Sequence, residues 1–148
     1  MRILVIEDDQ QKSEQLIGFL EEHLNNTIIE LESSYTNGLR ALAIKDYNLL
    51  LLDMSLPTFK ITVEQSGGKP MSFAGEEILR QLSRRNIKVP TIVITQYDRF
   101  ERDLSLKELR KSIADKSYSN YIDTIYYNTT NDSWKIELMN LLKEHIGI

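Results

Sequence analysis

Cysteine is absent from the 148-residue chain. That excludes disulfides, thiolate-held metal centres and a thiol nucleophile. Proline occurs three times and glycine six times, too few for a collagenous or low-complexity chain. No apolar run approaches the ~20 residues that a membrane-crossing helix needs. Met1-Arg2 leads straight into Ile3-Leu4-Val5-Ile6 and three acids, which is not the pattern of a signal peptide. A basic stripe is missing too. The densest basic cluster is Arg84, Arg85 and Lys88, and the formal net charge is -4, so nucleic acid is not an expected partner. His23 and His145 fall in separate helical patterns and read as surface groups, not metal ligands. These absences lead to an expectation of a cytoplasmic protein with no membrane or nucleic-acid partner.

What is present is alternation. Hydrophobic residues make up 41% of the chain and charged ones 27%, enough apolar surface for one core, and the chain reads as one domain over 1–148. Apolar runs of four to six residues predict strands at 2–6, 27–31, 49–52, 89–95 and 122–127. Helical spacing lies between them. Residues 13–24 carry Leu16, Ile17, Phe19, Leu20 and Leu24. Thr36 is placed to cap a helix bearing Leu39, Leu42 and Ile44. Residues 76–85 put Ile78, Leu79 and Leu82 inward, 104–116 form a polar-faced helix, and 133–146 an amphipathic one packed through Trp134, Ile136, Leu138, Leu141 and Leu142. Residues 58–73, with Gly67-Gly68-Lys69-Pro70, read as a long loop. Five βα units predict an α/β fold, a doubly wound parallel sheet with helices on both faces. Ligands of such sheets sit beyond the carboxyl ends of the strands.

Polar groups stand at three of those ends: Glu7-Asp8-Asp9 after the first strand, Asp53 after the third, Thr95 after the fourth. Neighbouring carboxylates repel one another unless a raised pKa or a bound cation compensates. An oxygen-only cluster suits Mg²⁺, and a carboxylate beside such an ion can attack phosphorus to give an acyl phosphate. The bland alternatives are that the acids merely open a helix and that Asp53 is a cap.

The segments Ile3-Leu4-Val5-Ile6-Glu7-Asp8-Asp9, Leu51-Leu52-Asp53-Met54-Ser55-Leu56-Pro57 and Thr91-Ile92-Val93-Ile94-Thr95 resemble the receiver domain of bacterial two-component response regulators. The resemblance spans nearly the whole chain. It implies a flavodoxin-like sheet of order 2-1-3-4-5, Asp53 as phosphoacceptor, and Glu7 and Asp8 as the acidic pair that holds Mg²⁺. It further implies the backbone carbonyl of Ser55 as another metal ligand and Thr95 as the switch hydroxyl. The expected partners are a histidine kinase or phosphotransfer protein and a downstream protein, with a homodimer left open.

Three departures from the family pattern stand out. Receivers carry a lysine at the end of the fifth strand; here the strand runs Ile125-Tyr126-Tyr127-Asn128-Thr129. Asn128 aligns there best, and the aromatic switch position three earlier falls on Ile125, or on Tyr126 with a shift of one. The loop after Asp53 and the stretch 96–119 are both longer than usual, and Lys60 or Lys69 in that loop offers a replacement charge. The missing lysine favours a second reading, a pseudo-receiver that binds proteins without phosphorylation. A phosphatase with an aspartate nucleophile normally has a second aspartate two residues on, where this chain has Ser55, so the chain is not expected to be an enzyme.

Overall fold

The computed structural model describes residues 1–59, 70–71, 73–96, 99–100 and 104–147. Its core is a five-stranded parallel sheet built from β1 (Arg2–Ile6), β2 (Ile28–Glu32), β3 (Leu49–Leu52), β4 (Thr91–Thr95) and β5 (Tyr121–Tyr126). The order across the sheet is β2-β1-β3-β4-β5, the doubly wound order the sequence predicts. Among the described residues, five helices alternate with the strands: α1 (Gln10–His23), α2 (Tyr35–Ile44), α3 (Ala74–Arg84), α4 (Leu106–Asp115) and α5 (Ser133–His145).

Strand residues alternate between two apolar layers, so the central strands must be apolar at every position. Leu4, Ile6, Leu50, Leu52 and Val93 face α2, α3 and α4, where they meet Leu42, Ile78, Leu79, Leu82, Leu109 and Ile113. Ile3, Val5, Leu49, Leu51, Ile92 and Ile94 face α1 and α5, where they meet Leu16, Phe19, Leu20, Trp134, Leu138 and Leu142. Burying each such aliphatic side chain contributes roughly 1.5–3 kcal/mol, which explains the four consecutive leucines of β3.

Local chemistry moves several boundaries away from the sequence expectation. α1 begins three residues early, because the Asp9 side chain caps it by accepting from the Lys12 backbone N–H at 2.9 Å. Ser34, not Thr36, caps α2 by accepting from Asn37 N at 3.2 Å. Thr36 lies inside the first turn and donates its hydroxyl to the Thr58 carbonyl at 2.7 Å. α4 starts at Leu106 with Ser105 as its cap. Ile44 and Ile136, expected to pack inward, are 72% and 67% exposed. Leu56–Pro57, just before the expected long loop, pairs antiparallel with Pro70–Met71 inside it; Lys60 and Lys69 lie outside the described residues. A second short antiparallel pair, Arg99–Phe100 with Leu104–Ser105, follows β4. β5 carries a register shift opposite Thr91 and Ile92, where Tyr121 and Asp123 are the successive partners.

One close approach fixes where Asp53 stands. A Cβ on Gly75, in the first turn of α3, would lie 2.6 Å from the Asp53 carbonyl oxygen and 3.0 Å from Met54 Cα. Gly75 N also donates to the Met54 carbonyl at 2.9 Å. Gly75→Ala is therefore expected to lower stability by roughly 1–3 kcal/mol. Gly18→Ala, on exposed α1 surface with nothing within 4 Å of the new Cβ, should raise it by about 0.5–1 kcal/mol. Urea denaturation of the two variants checks the contrast; equal midpoints would contradict it.

Candidate functional site

The strand ends bring the acids together. β1 and β3 are neighbours, with Ile6 level with Leu52, so the residues that follow, Glu7 and Asp53, emerge side by side. Backbone bonds fix both: Glu7 N donates to the Glu32 carbonyl at 2.9 Å and Asp53 N to the Ile6 carbonyl at 3.1 Å. One carboxylate oxygen from each of Glu7, Asp8 and Asp53 lies within 4.8 Å of the others. Glu7 and Asp53 are buried, while Asp8 is exposed at the mouth. Asp9 points elsewhere: it caps α1, and its N–H donates to Glu7 Oε2 at 3.0 Å. Thr95 is fully buried at the end of β4, and its carbonyl accepts from Tyr127 N at 2.8 Å. Ser55 is half-buried two residues beyond Asp53.

Among the described residues, the cation touching these acids is Lys12. Its Nζ sits 2.5 Å from Glu7 Oε1 and 3.2 Å from Asp53 Oδ1, and it donates to the Ile94 carbonyl at 2.6 Å. Its side chain is 1% exposed. Sequence reasoning overlooked this residue, although the signal was there. Lys12, Leu16, Phe19 and Leu20 share the buried stripe of α1, and a lysine on such a stripe needs a buried partner.

The Asn128 side-chain oxygen accepts from Thr130 N at 2.9 Å and Thr130 Oγ1 at 2.7 Å. It closes the turn before α5. The side chain directed at the site from the end of β5 is Tyr127, whose ring centroid is 5.8 Å from Lys12 Nζ. Tyr127 stands one residue before Asn128, and the position three before Tyr127 is Thr124. Its hydroxyl lies 2.6 Å from Tyr121 Oη. Ile125 is buried in the α1–α5 layer, and Tyr126, level with Thr95, is exposed.

Charge balance shapes the electrostatics. Burial raises the Glu7 carboxyl to about 8; Lys12 opposes the rise and Asp53 adds to it. Asp8 is raised, first by partial burial and then by Asp53. Burial works against the charge on Lys12, but Asp53 and Glu7 outweigh it and raise its pKa. Glu7 Oε1 is buried and its partner is the Lys12 ammonium. An all-oxygen donor set with more carboxylates than ammonium groups fits a hard divalent cation such as Mg²⁺.

No family model matches the chain. Curated relatives do. The Detocs response regulatory protein DtcB of Enterobacter cloacae (strain JD6301) is 28% identical over 97% of this chain and 99% of its own length. DtcB of Vibrio alginolyticus is 28% identical over 95% of this chain and 99% of its own. Among solved structures, the receiver domain of a Pseudomonas aeruginosa sensor histidine kinase, described with a magnesium ion coordinated in its active site cleft, superposes with TM-score 0.64. It has 17% identity and covers 99% of this chain and 98% of that one. The Thermotoga maritima response regulator TrrA, in complex with Mg²⁺-BeF, has TM-score 0.58 and 19% identity over 95% of this chain and 98% of that one. The fold is the receiver fold of two-component response regulators. Along nearly its full length the chain is similar to proteins named response regulatory proteins.

A carboxyl that holds its proton to about pH 8 must release it before it can ligate a metal. Mg²⁺ affinity is expected to rise with pH through the window below about 8 and then level off, with proton release on binding at the acid end. Calorimetry in buffers of different ionisation enthalpy measures both; a pH-independent affinity without proton release would contradict the assignment.

Proposed function

We propose that the chain is a phosphoacceptor receiver that takes a phosphoryl group onto Asp53 and signals through a partner protein. The observation that carries this reading is the convergence of Glu7, Asp8 and Asp53 within 4.8 Å of one another at neighbouring strand ends. The resemblance to response regulatory proteins over the whole chain supports it.

The chain's own residues divide the work. Asp53 is the nucleophile, and Met54 N donates to its Oδ1 at 2.8 Å, which orients the carboxylate. The group to be transferred comes from a phosphohistidine of a kinase or phosphotransfer protein. Glu7, Asp8, Asp53 and the Ser55 carbonyl would hold Mg²⁺, which when bound offsets charge on the phosphoryl oxygens. Thr95, at the end of the strand beside β3, is the hydroxyl expected to donate to a phosphoryl oxygen after transfer. Phosphorylation replaces one carboxylate charge by a dianionic group with more acceptors, and neighbouring segments respond by a shift in population.

The pseudo-receiver reading drew on a missing cation. Lys12 offers a cation to the same carboxylate, which supports the phosphoacceptor reading over it.

Incubation with phosphoramidate or acetyl phosphate and Mg²⁺ should add one phosphoryl mass to the wild type and none to Asp53→Asn, as read by intact-mass spectrometry. Label lost on treatment with hydroxylamine would identify an acyl phosphate. A wild type that binds Mg²⁺ yet never gains mass would overturn the proposal in favour of the pseudo-receiver.

A further inference from the structure

We infer that Lys12, in the first turn of α1, is the cation that holds the phosphoryl group on Asp53, in place of the lysine that the receiver pattern sets at the end of the last strand. The inference rests on the phosphoacceptor reading above.

Three observations lead there. The first is position. Lys12 Nζ is 3.2 Å from Asp53 Oδ1, the carboxylate of the proposed nucleophile. A group joined to that carboxylate lies within its reach. The second is anchorage. The Lys12 main chain is bonded to the Asp9 cap at 2.9 Å. Its ammonium donates to the Ile94 carbonyl at 2.6 Å, one residue before Thr95. The Ile94 bond does not involve Asp53, so it can persist when the carboxylate is esterified, and it keeps Nζ beside Thr95. The third is occupancy. The end of β5 presents Tyr127, not a cation, and the Tyr127 ring centroid lies 5.8 Å from Lys12 Nζ. Tyr127, an aromatic, follows the last strand where a strand lysine would stand, and the charge comes instead from α1, beside the same aromatic.

The transfer balances without a proton from Lys12. An Asp53 carboxylate oxygen forms the O–P bond while the P–N bond of the phosphohistidine breaks. The electron pair leaves on the imidazole nitrogen, which takes a proton from water. Lys12 donates hydrogen bonds throughout and stays charged. It first offsets the carboxylates and then the phosphoryl oxygens that replace one of them. A purely structural Lys12 would do only the first.

The test separates these roles by moving the charge. Labelling by phosphoramidate with Mg²⁺ is followed in the wild type, Lys12→Met, Lys12→Arg and the double variant Lys12→Met/Tyr127→Lys, each checked for folding by circular dichroism. Lys12→Met should label about a hundredfold more slowly, the order seen when one donor to a developing oxyanion is removed. Lys12→Arg, which keeps the charge, should fall between. The double variant, with its cation returned to the strand end, should recover at least about a tenth of the wild-type rate. Mg²⁺ with beryllofluoride should raise the melting temperature of the wild type and of the double variant, but not that of Lys12→Met. If Lys12→Met does not fold, the Lys12→Arg rate and the double variant carry the test. Wild-type labelling by Lys12→Met, or no recovery in a folded double variant, overturns the inference alone. A wild type that takes no label overturns the phosphoacceptor reading, and the inference falls with it.

Discussion

A lysine on the buried stripe of a helix is the constraint on which the site depends. Removing an ammonium ion from water has an effective penalty of several kcal/mol, which only close, well-placed anions and carbonyls offset. Lys12 has both: Glu7 and Asp53 on one side and the Ile94 carbonyl on the other. The dependence runs in both directions. Without the ammonium, two buried carboxylates would stand beside a third with nothing to balance them. Without the carboxylates, the helix could not bury that position. The first turn of α1, the ends of β1 and β3, and the penultimate residue of β4 are therefore held in one arrangement.

The rest of the fold serves that arrangement. Strands that are apolar on both faces fix the sheet register, and the register decides which residues stand at the carboxyl edge. The Asp9 cap fixes the start of α1 and so the height of Lys12 above the sheet. Gly75 lets α3 pack directly against the backbone of Asp53. On the α1 side, Tyr127 stacks near Trp134, with ring centroids 5.3 Å apart, and Trp134 meets Phe19 at 5.6 Å. The cation and the α1–α5 layer thus share one wall. Burial first, and Asp53 in addition, raises the Glu7 and Asp8 carboxyls, and the all-oxygen cluster is consistent with a divalent ion.

Much of this was legible in the residues. The apolar runs at 3–6, 49–52 and 92–94 gave parallel strands, because only doubly covered strands are apolar at every position. The acids and Asp53 were legible because they end those runs. What escaped was anything set by local bonds or by register. Thr36 looked like a cap, but the Ser34 hydroxyl took that role because it was the one placed to accept from Asn37 N. Ile44 and Ile136 matched a helical period and still face outward, since the period alone does not say how wide the buried stripe is. At the end of the last strand the sequence alone does not say which side chain faces the cluster; Tyr127, whose N–H donates to the Thr95 carbonyl, brings its ring near Lys12, and the Asn128 side chain bonds Thr130. Lys12 was missed because family alignment looks for the cation where the pattern usually puts it. The sequence has a lysine four residues before Leu16, on the stripe that faces the sheet.

The central claim is that one ammonium group from α1 balances the acid cluster and then the transferred group. A crystal structure of the protein with Mg²⁺ and beryllofluoride tests it most directly. The account predicts Lys12 Nζ at about 2.7–3.2 Å from a fluorine on Asp53, still bonded to the Ile94 carbonyl. A Lys12 side chain swung out to solvent, with the fluorines held by some other cation, would contradict it.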